Sequence, residues 1–227
     1  MNKRTSSAFT MLELIMVIVV LGILASLALP RMERDYRTEA ADNILSAIRY
    51  AQHMALMDNV VLPSEAEWQR RFWRFGKEGC SDNGIFYYVA SDKNMGGNID
   101  LGEAAIDPTN ANWMMGINGK DCESDLSEQV FSDGRAASKN IFLTKLYGIS
   151  EGKMTFSDSC KGTSPAKGHV AFDYLGRPHA GITSLDQAQY SSFLSADCNI
   201  TLKYENAELS ETVITIEKET GRAYIAK

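Results

Sequence analysis

Twelve consecutive residues, Asp92-Lys93-Asn94-Met95-Gly96-Gly97-Asn98-Ile99-Asp100-Leu101-Gly102-Glu103, carry hard oxygen ligands at a spacing that could hold a cation. Asp92, Asn94, Asp100 and Glu103 fall on ligand positions of a calcium-loop pattern, with Gly97 at its sharp turn and Ile99 at its apolar position. Ca²⁺ is the one cofactor that any pattern in the chain suggests. Gly96 offers no side-chain oxygen where the pattern expects one, and a strand-like run precedes the loop where an EF-hand has a helix. A polar, glycine-rich surface loop is therefore the competing reading. The four cysteines, Cys80, Cys122, Cys160 and Cys198, contain no C-x-x-C pair, which argues against a zinc ribbon or a thioredoxin-type site. In an oxidising compartment an even count means disulfides, and four cysteines allow three pairings. The three histidines, His53, His169 and His179, sit in no nucleophile or metal motif, and there is no P-loop or dinucleotide fingerprint. Nothing here points to an enzyme.

One further acidic residue stands in an unusual place. Glu13 opens a run with no other charge as far as Leu29, closed by Pro30; counted from Phe9 the run has about the 20 residues that an α-helix needs to span a bilayer. A carboxylate inside such a segment costs up to about 3 kcal/mol at full depth, so it requires a partner or a function. Lys3 and Arg4 precede the run, as in a secretory signal, but Leu27-Ala28-Leu29-Pro30 is a poor cleavage site behind it. A cut ahead of the run, between Ala8 and Phe9, would instead remove the polar leader and keep the helix.

Basic leader, small residue, Phe9-Thr10-x-x-Glu13, apolar run and Pro30 together resemble the class III signal of type IV prepilins and of type II secretion prepseudopilins. The resemblance implies that Ala8 ends the leader and that a prepilin peptidase cuts before Phe9 and N-methylates it. It also implies that Glu13 meets the amine of a neighbouring subunit in an assembled filament. Glu13 lies one turn from Phe9, where the helix dipole favours an anion. The family usually has Gly before the cut, and here the residue is Ala8. An ordinary single-span anchor would leave Glu13 without a reason.

The implied organisation is a leader at 1–8, a transmembrane helix half at 9–29 and an amphipathic periplasmic stalk at 30–59. A globular periplasmic head follows at 60–227, with the protein single-pass in the inner membrane. Losing the leader removes two of 23 basic residues and none of 29 acidic ones, so the net charge falls to −8, which argues against a general nucleic-acid binder. In the stalk Met32, Tyr36, Ala40, Ile44, Ala47, Ile48, Ala51 and Ala55 recur at helical spacing. Ser64-Glu65-Ala66-Glu67 reads as a capping box opening a short helix with Trp68, Phe72 and Phe75 on one face. Arg70, Arg71 and Arg74 among these aromatics could bind single-stranded nucleic acid; the competing reading is a solvated helix face. Ile85–Ala90 reads as a strand, and Ile141–Tyr147 as a strand or a short helix. Lys153–Ser157, His169–Tyr174, Asn199–Tyr204, Val213–Glu217 and Arg222–Ile225 read as further strands. With the head outside the cytoplasm, sequential bridging of Cys80 with Cys122 and Cys160 with Cys198 is the preferred pairing, because it braces the middle and the end separately.

Phe172-Asp173-Tyr174-Leu175-Gly176-Arg177-Pro178, Ile214-Thr215-Ile216 and Thr220-Gly221-Arg222 resemble the C-terminal signature of H-type minor pseudopilins and their FimT-type pilin relatives (GspH/FimT domain). The family implies an α+β, pilin-like fold, in which a long N-terminal helix packs on a β-rich head of two antiparallel sheets. It places the family-like β part at 134–227 and leaves 64–133 as a lineage-specific region. The function it implies is that of a minor pseudopilin in the periplasmic pseudopilus of a type II secretion system. Partners would be other pseudopilins or pilins, the prepilin peptidase and the inner-membrane assembly platform. The alternative is a minor type IV pilin or competence pseudopilin assisting DNA uptake, with DNA as a partner only in that case.

Overall fold

A computed structural model describes residues 10–58, 61–62, 64–123, 125–161, 168–205 and 209–226; within these, the side chains of 27–35 and 184 are not described. Ala8 and Phe9, the expected cleavage and methylation positions, and the side chain of Pro30 lie outside the described residues. The chain divides into two compact units, Met1–Thr38 and Glu39–Lys227.

Helix α1 runs over Met11–Met57. In the first unit its described apolar side chains face outward on every side, with Leu12, Ile15, Val19 and Leu24 all at least half exposed. Among the described residues, no helix is long and apolar enough to cross a membrane. The described apolar stretch stops at Ser26, and the sequence continues it with Leu27, Ala28 and Leu29.

In the second unit the same helix is one-sided. Ala40, Ile44, Ala47, Ile48, Ala51 and Ala55 are buried, and the small residues let the helix lie close to what it covers. The expected stripe starts too early, since Tyr36 is 46% exposed; the buried face begins at Ala40.

Two four-stranded antiparallel sheets complete this unit. The first joins β1 (Trp73–Gly79), β2 (Ile85–Ala90), β4 (His169–Phe172) and β5 (Pro178–His179) in the order β2-β1-β4-β5. The second joins β3 (Met154–Phe156), β6 (Cys198–Leu202), β7 (Thr212–Ile216) and β8 (Ala223–Ile225) in the order β3-β6-β7-β8. Phe75, Tyr87, Val89 and Val170 of one sheet and Ile200, Ile214 and Ile216 of the other share a core with α1. Burying each such side chain contributes about 1.5–3 kcal/mol. This is the α+β arrangement expected of a pilin-like protein.

The expected helix after Ser64 is not formed. A 3-10 turn, Trp68–Arg71, leads into β1, so Trp73 and Phe75 face the core while Arg74, Gly76 and Glu78 share the opposite face. Ile141–Tyr147 resolves into the end of a 3-10 turn, Lys139–Ile141, and helix α2, Leu143–Tyr147.

The middle region is tied to its surroundings by polar contacts. Tyr50 Oη donates to the Ile106 carbonyl (3.0 Å), and Tyr87 Oη donates to Asn43 Oδ1 (2.7 Å). Disulfides join Cys80 to Cys122 and Cys160 to Cys198, the sequential pairing.

Candidate functional site

The start of α1 is a capping box. Glu13 Oε2 accepts from the Thr10 backbone N–H and from its hydroxyl, both at 2.9 Å, while Thr10 Oγ1 accepts from the Glu13 N–H at 3.3 Å. Threonine at the cap and glutamate three residues on satisfy donors that the helix end would otherwise leave open. Glu13 therefore has a local partner within its own chain, a signal present in Thr10-x-x-Glu13 and separate from any role in a filament.

The C-terminal signature turns out to be a packing joint. Asp173 ends the strand region after β4, and its Oδ1 accepts from the N–H groups of Leu175 and Arg177, both at 2.9 Å; Oδ2 accepts from Arg177 Nε at 2.8 Å. Burial pushes its carboxyl up, but hydrogen bonds from His179, Arg177 and the turn backbone outweigh that and hold it at about 2. The second signature turn meets the first directly. At Gly221, φ is +69° and an added Cβ would stand 2.3 Å from the Gly176 carbonyl oxygen. Gln52 on α1 binds both turns, its Nε2 donating to the carbonyls of Gly176 (2.8 Å) and Thr220 (3.1 Å). Arg49, one turn earlier, donates to the Ala223 carbonyl at 3.0 Å. Sequence reasoning missed Arg49 and Gln52, since on a helix they read as ordinary polar positions beside the apolar stripe.

The same joint brings a serine, a histidine and an aspartate together. His179 Nδ1 lies 2.8 Å from Ser192 Oγ, and His179 Nε2 lies 3.5 Å from Asp173 Oδ2. A nucleophilic serine must give its proton to the histidine. Here Ser192 is buried and its hydroxyl donates to the Gln189 carbonyl at 2.8 Å and not to the histidine, so the geometry is that of a structural bridge. His53 is exposed on α1, and His169 is buried on β4.

The calcium pattern does not assemble a shell. Asp92 is buried, with its two carboxylate oxygens accepting from the N–H groups of Gly96 (3.0 Å) and Gly97 (2.7 Å). Glu103 likewise accepts from the N–H groups of Asn94 (2.9 Å) and Asp100 (2.8 Å), and Asn94 Nδ2 donates to Asp100 Oδ2. The acidic side chains thus stabilise the loop's own backbone. Among the described residues, the only three acidic, histidine or cysteine ligands gathered within reach of one ion are Cys80, Asp82 and Cys122, and those two sulfurs are joined to each other.

The arginine cluster is dispersed. Arg70 donates to the carbonyls of Leu185 (2.9 Å) and Met95 (2.8 Å) and pairs with Asp186 and Glu67. Arg71 is half-buried, and Arg74 is 1% exposed. The three arginines do not share one solvated face, because strand geometry turns Arg74 into the unit.

A helix apolar on all sides at its start and one-sided further on, followed by a β-rich antiparallel unit, is consistent with the pilin-like class. Within that class, a segment of this chain is similar to the type II secretion system core protein G of Pseudomonas aeruginosa, 39% identical over 67 residues, which is 28% of this chain and 47% of that one. The core protein G of Aeromonas hydrophila is 41% identical over 68 residues, again 28% and 47% of the two chains. The chain spans about half the length of the curated relatives it matches. No family model matches the chain, and no solved structure does.

Proposed function

We propose that the chain is a minor pseudopilin of the H type, a structural subunit of the periplasmic pseudopilus of a type II protein secretion system, without catalysis of its own. The observation that carries the reading is α1: one helix, headed by Thr10 and Glu13, apolar on every described side as far as Ser26 and then buried along one face from Ala40. The local similarity to core protein G favours an assembling subunit over a plain anchor. In this reading prepilin peptidase removes residues 1–8 and methylates the Phe9 amine. The segment to Leu29 crosses the inner membrane with the head in the periplasm, and the assembly platform draws the subunit into a filament with other pseudopilins. There the apolar side chains exchange lipid for neighbouring helices, and Glu13 exchanges Thr10 for a neighbour's amine.

Glu13→Gln separates the two roles of that residue. Glutamine retains the capping box but not the charge. The substitution should leave the protein at normal levels in the membrane while filament assembly and secretion fall, read by cross-linking to other pseudopilins and by secreted-protein yield. Normal secretion by that variant would rule out the charge pairing and leave Glu13 as a helix cap.

A further inference from the structure

Arg74 is the second residue of β1, between Ala90 of β2 and Ala171 of β4, on the sheet face turned away from α1. It is 1% exposed, and its Nε and Nη1 have no hydrogen-bond partner among the described residues. Among the described residues no carboxylate pairs with it. A guanidinium removed from water without a counter-charge is heavily destabilising, and a protein that keeps one needs an anion from elsewhere or a compensating reason.

Arg74 forms part of the wall of a cavity of about 280 Å³. That is nearly twice the roughly 150 Å³ that accommodates a benzene ring in an engineered core. The walls are of two kinds. Phe86, Tyr88 and Met115 supply apolar surface, and buried His169 lines the cavity from the neighbouring strand, opposite Gly76. Gly76 makes this possible: the Tyr88 ring lies across it, and a Cβ there would stand 2.5 Å from the ring. Glu78 lies four residues along the strand from Arg74 on the same face, about 13 Å away at strand rise, and also lines the cavity. One arginine at one end and a carboxylate at the other suit a single negative charge, and Glu78 opposes a second.

We infer that this cavity binds a carboxylate carried on an apolar body, with Arg74 as the charged anchor and Phe86, Tyr88 and Met115 as the apolar walls. The carboxylate could belong to a free small acid or to the terminus of a peptide chain; the chemistry at Arg74 is the same. Phosphate is disfavoured, because a dianion would face only one arginine and would meet Glu78.

The test is calorimetric titration of the full chain in detergent with 3-phenylpropionate, with phenethylamine as the charge-reversed control. Saturable one-to-one binding of the acid and none of the amine is expected. Arg74→Met should weaken the acid by roughly tenfold or more, since it removes a charge-assisted contact. It should not lower the melting temperature, because an apolar side chain replaces an orphan buried charge. Met115→Trp, which enlarges a wall residue of the cavity and leaves Arg74 itself unchanged, should also abolish binding, so the inference does not depend on the Arg74 variant folding. An apolar tripeptide with a free terminal carboxylate, compared with its amide, identifies the source. Tighter binding of the free tripeptide than of phenylpropionate assigns the site to a chain terminus, and weaker binding assigns it to a small acid. Equal binding of acid and amine, or no binding of either acid at millimolar concentration, overturns the inference. So does unchanged binding in both variants.

Discussion

Asp173 shows how a short motif becomes a measurable property. Its carboxyl is held at about 2, against an ordinary 3.8, by donors from His179, Arg177 and the turn backbone. A depressed carboxylate contributes stability that is present above its unfolded value and disappears as pH falls through its folded value. Stability should therefore drop by about 1–2 kcal/mol between roughly pH 4 and pH 2 through this group, and Asp173→Asn should flatten that part of the profile in denaturant titrations. Gly221 gives a second residue-scale expectation. Gly221→Ala forces a Cβ against the Gly176 carbonyl at a positive φ, so a loss of about 2 kcal/mol or more is expected in urea unfolding. Both residues were visible in the sequence as parts of a family-like signature. Their physical roles were not, because a close approach between two turns 45 residues apart leaves no local pattern. Thr10 is the opposite case, since Thr-x-x-Glu is a legible cap that the apolar run behind it overshadowed.

Legibility at the level of elements followed periodicity. Ile85–Ala90 is β2 as read, and α1 ends at Met57, near the expected boundary. The strands expected at Lys153–Ser157, His169–Tyr174, Asn199–Tyr204, Val213–Glu217 and Arg222–Ile225 are present as β3, β4, β6, β7 and β8, shifted or shortened by one or two residues at their ends. The segment from Ser64 to Gly79 misled for a definite reason. Trp68, Phe72 and Phe75 fall at helical spacing, and an arginine at 74 reads as solvated on either element. Tertiary context decided otherwise, since Trp73 and Phe75 are both needed in the core and only a strand puts them on one face. β5, Pro178–His179, is two residues long, too short for any alternation to show. At the candidate sites, a linear pattern placed Asp92, Asn94, Asp100 and Glu103 on one loop. It could not reveal that backbone N–H groups would take up the oxygens of Asp92 and Glu103.

Across the whole molecule the two disulfides act on separate parts. Cys80–Cys122 spans 42 residues and fastens the middle region beside β1, while Cys160–Cys198 spans 38 and closes the connection from β3 to β6. Each bridge is worth about 4 kcal/mol in the chain-entropy model, and the bridges share no residue, so their removal should be nearly additive. Paired Cys→Ser replacement at one bridge and then at both should lower the melting temperature in two comparable steps; a negligible step for either bridge would show that its loop is already constrained without it. The polar contacts of α1 have a mechanical consequence as well. Gln52 and Arg49 hold three carbonyls of the signature turns and β8. A pull along the helix axis would load these bonds together, in shear, instead of peeling them one at a time, so the head would be dragged with its helix and would not be stripped from it.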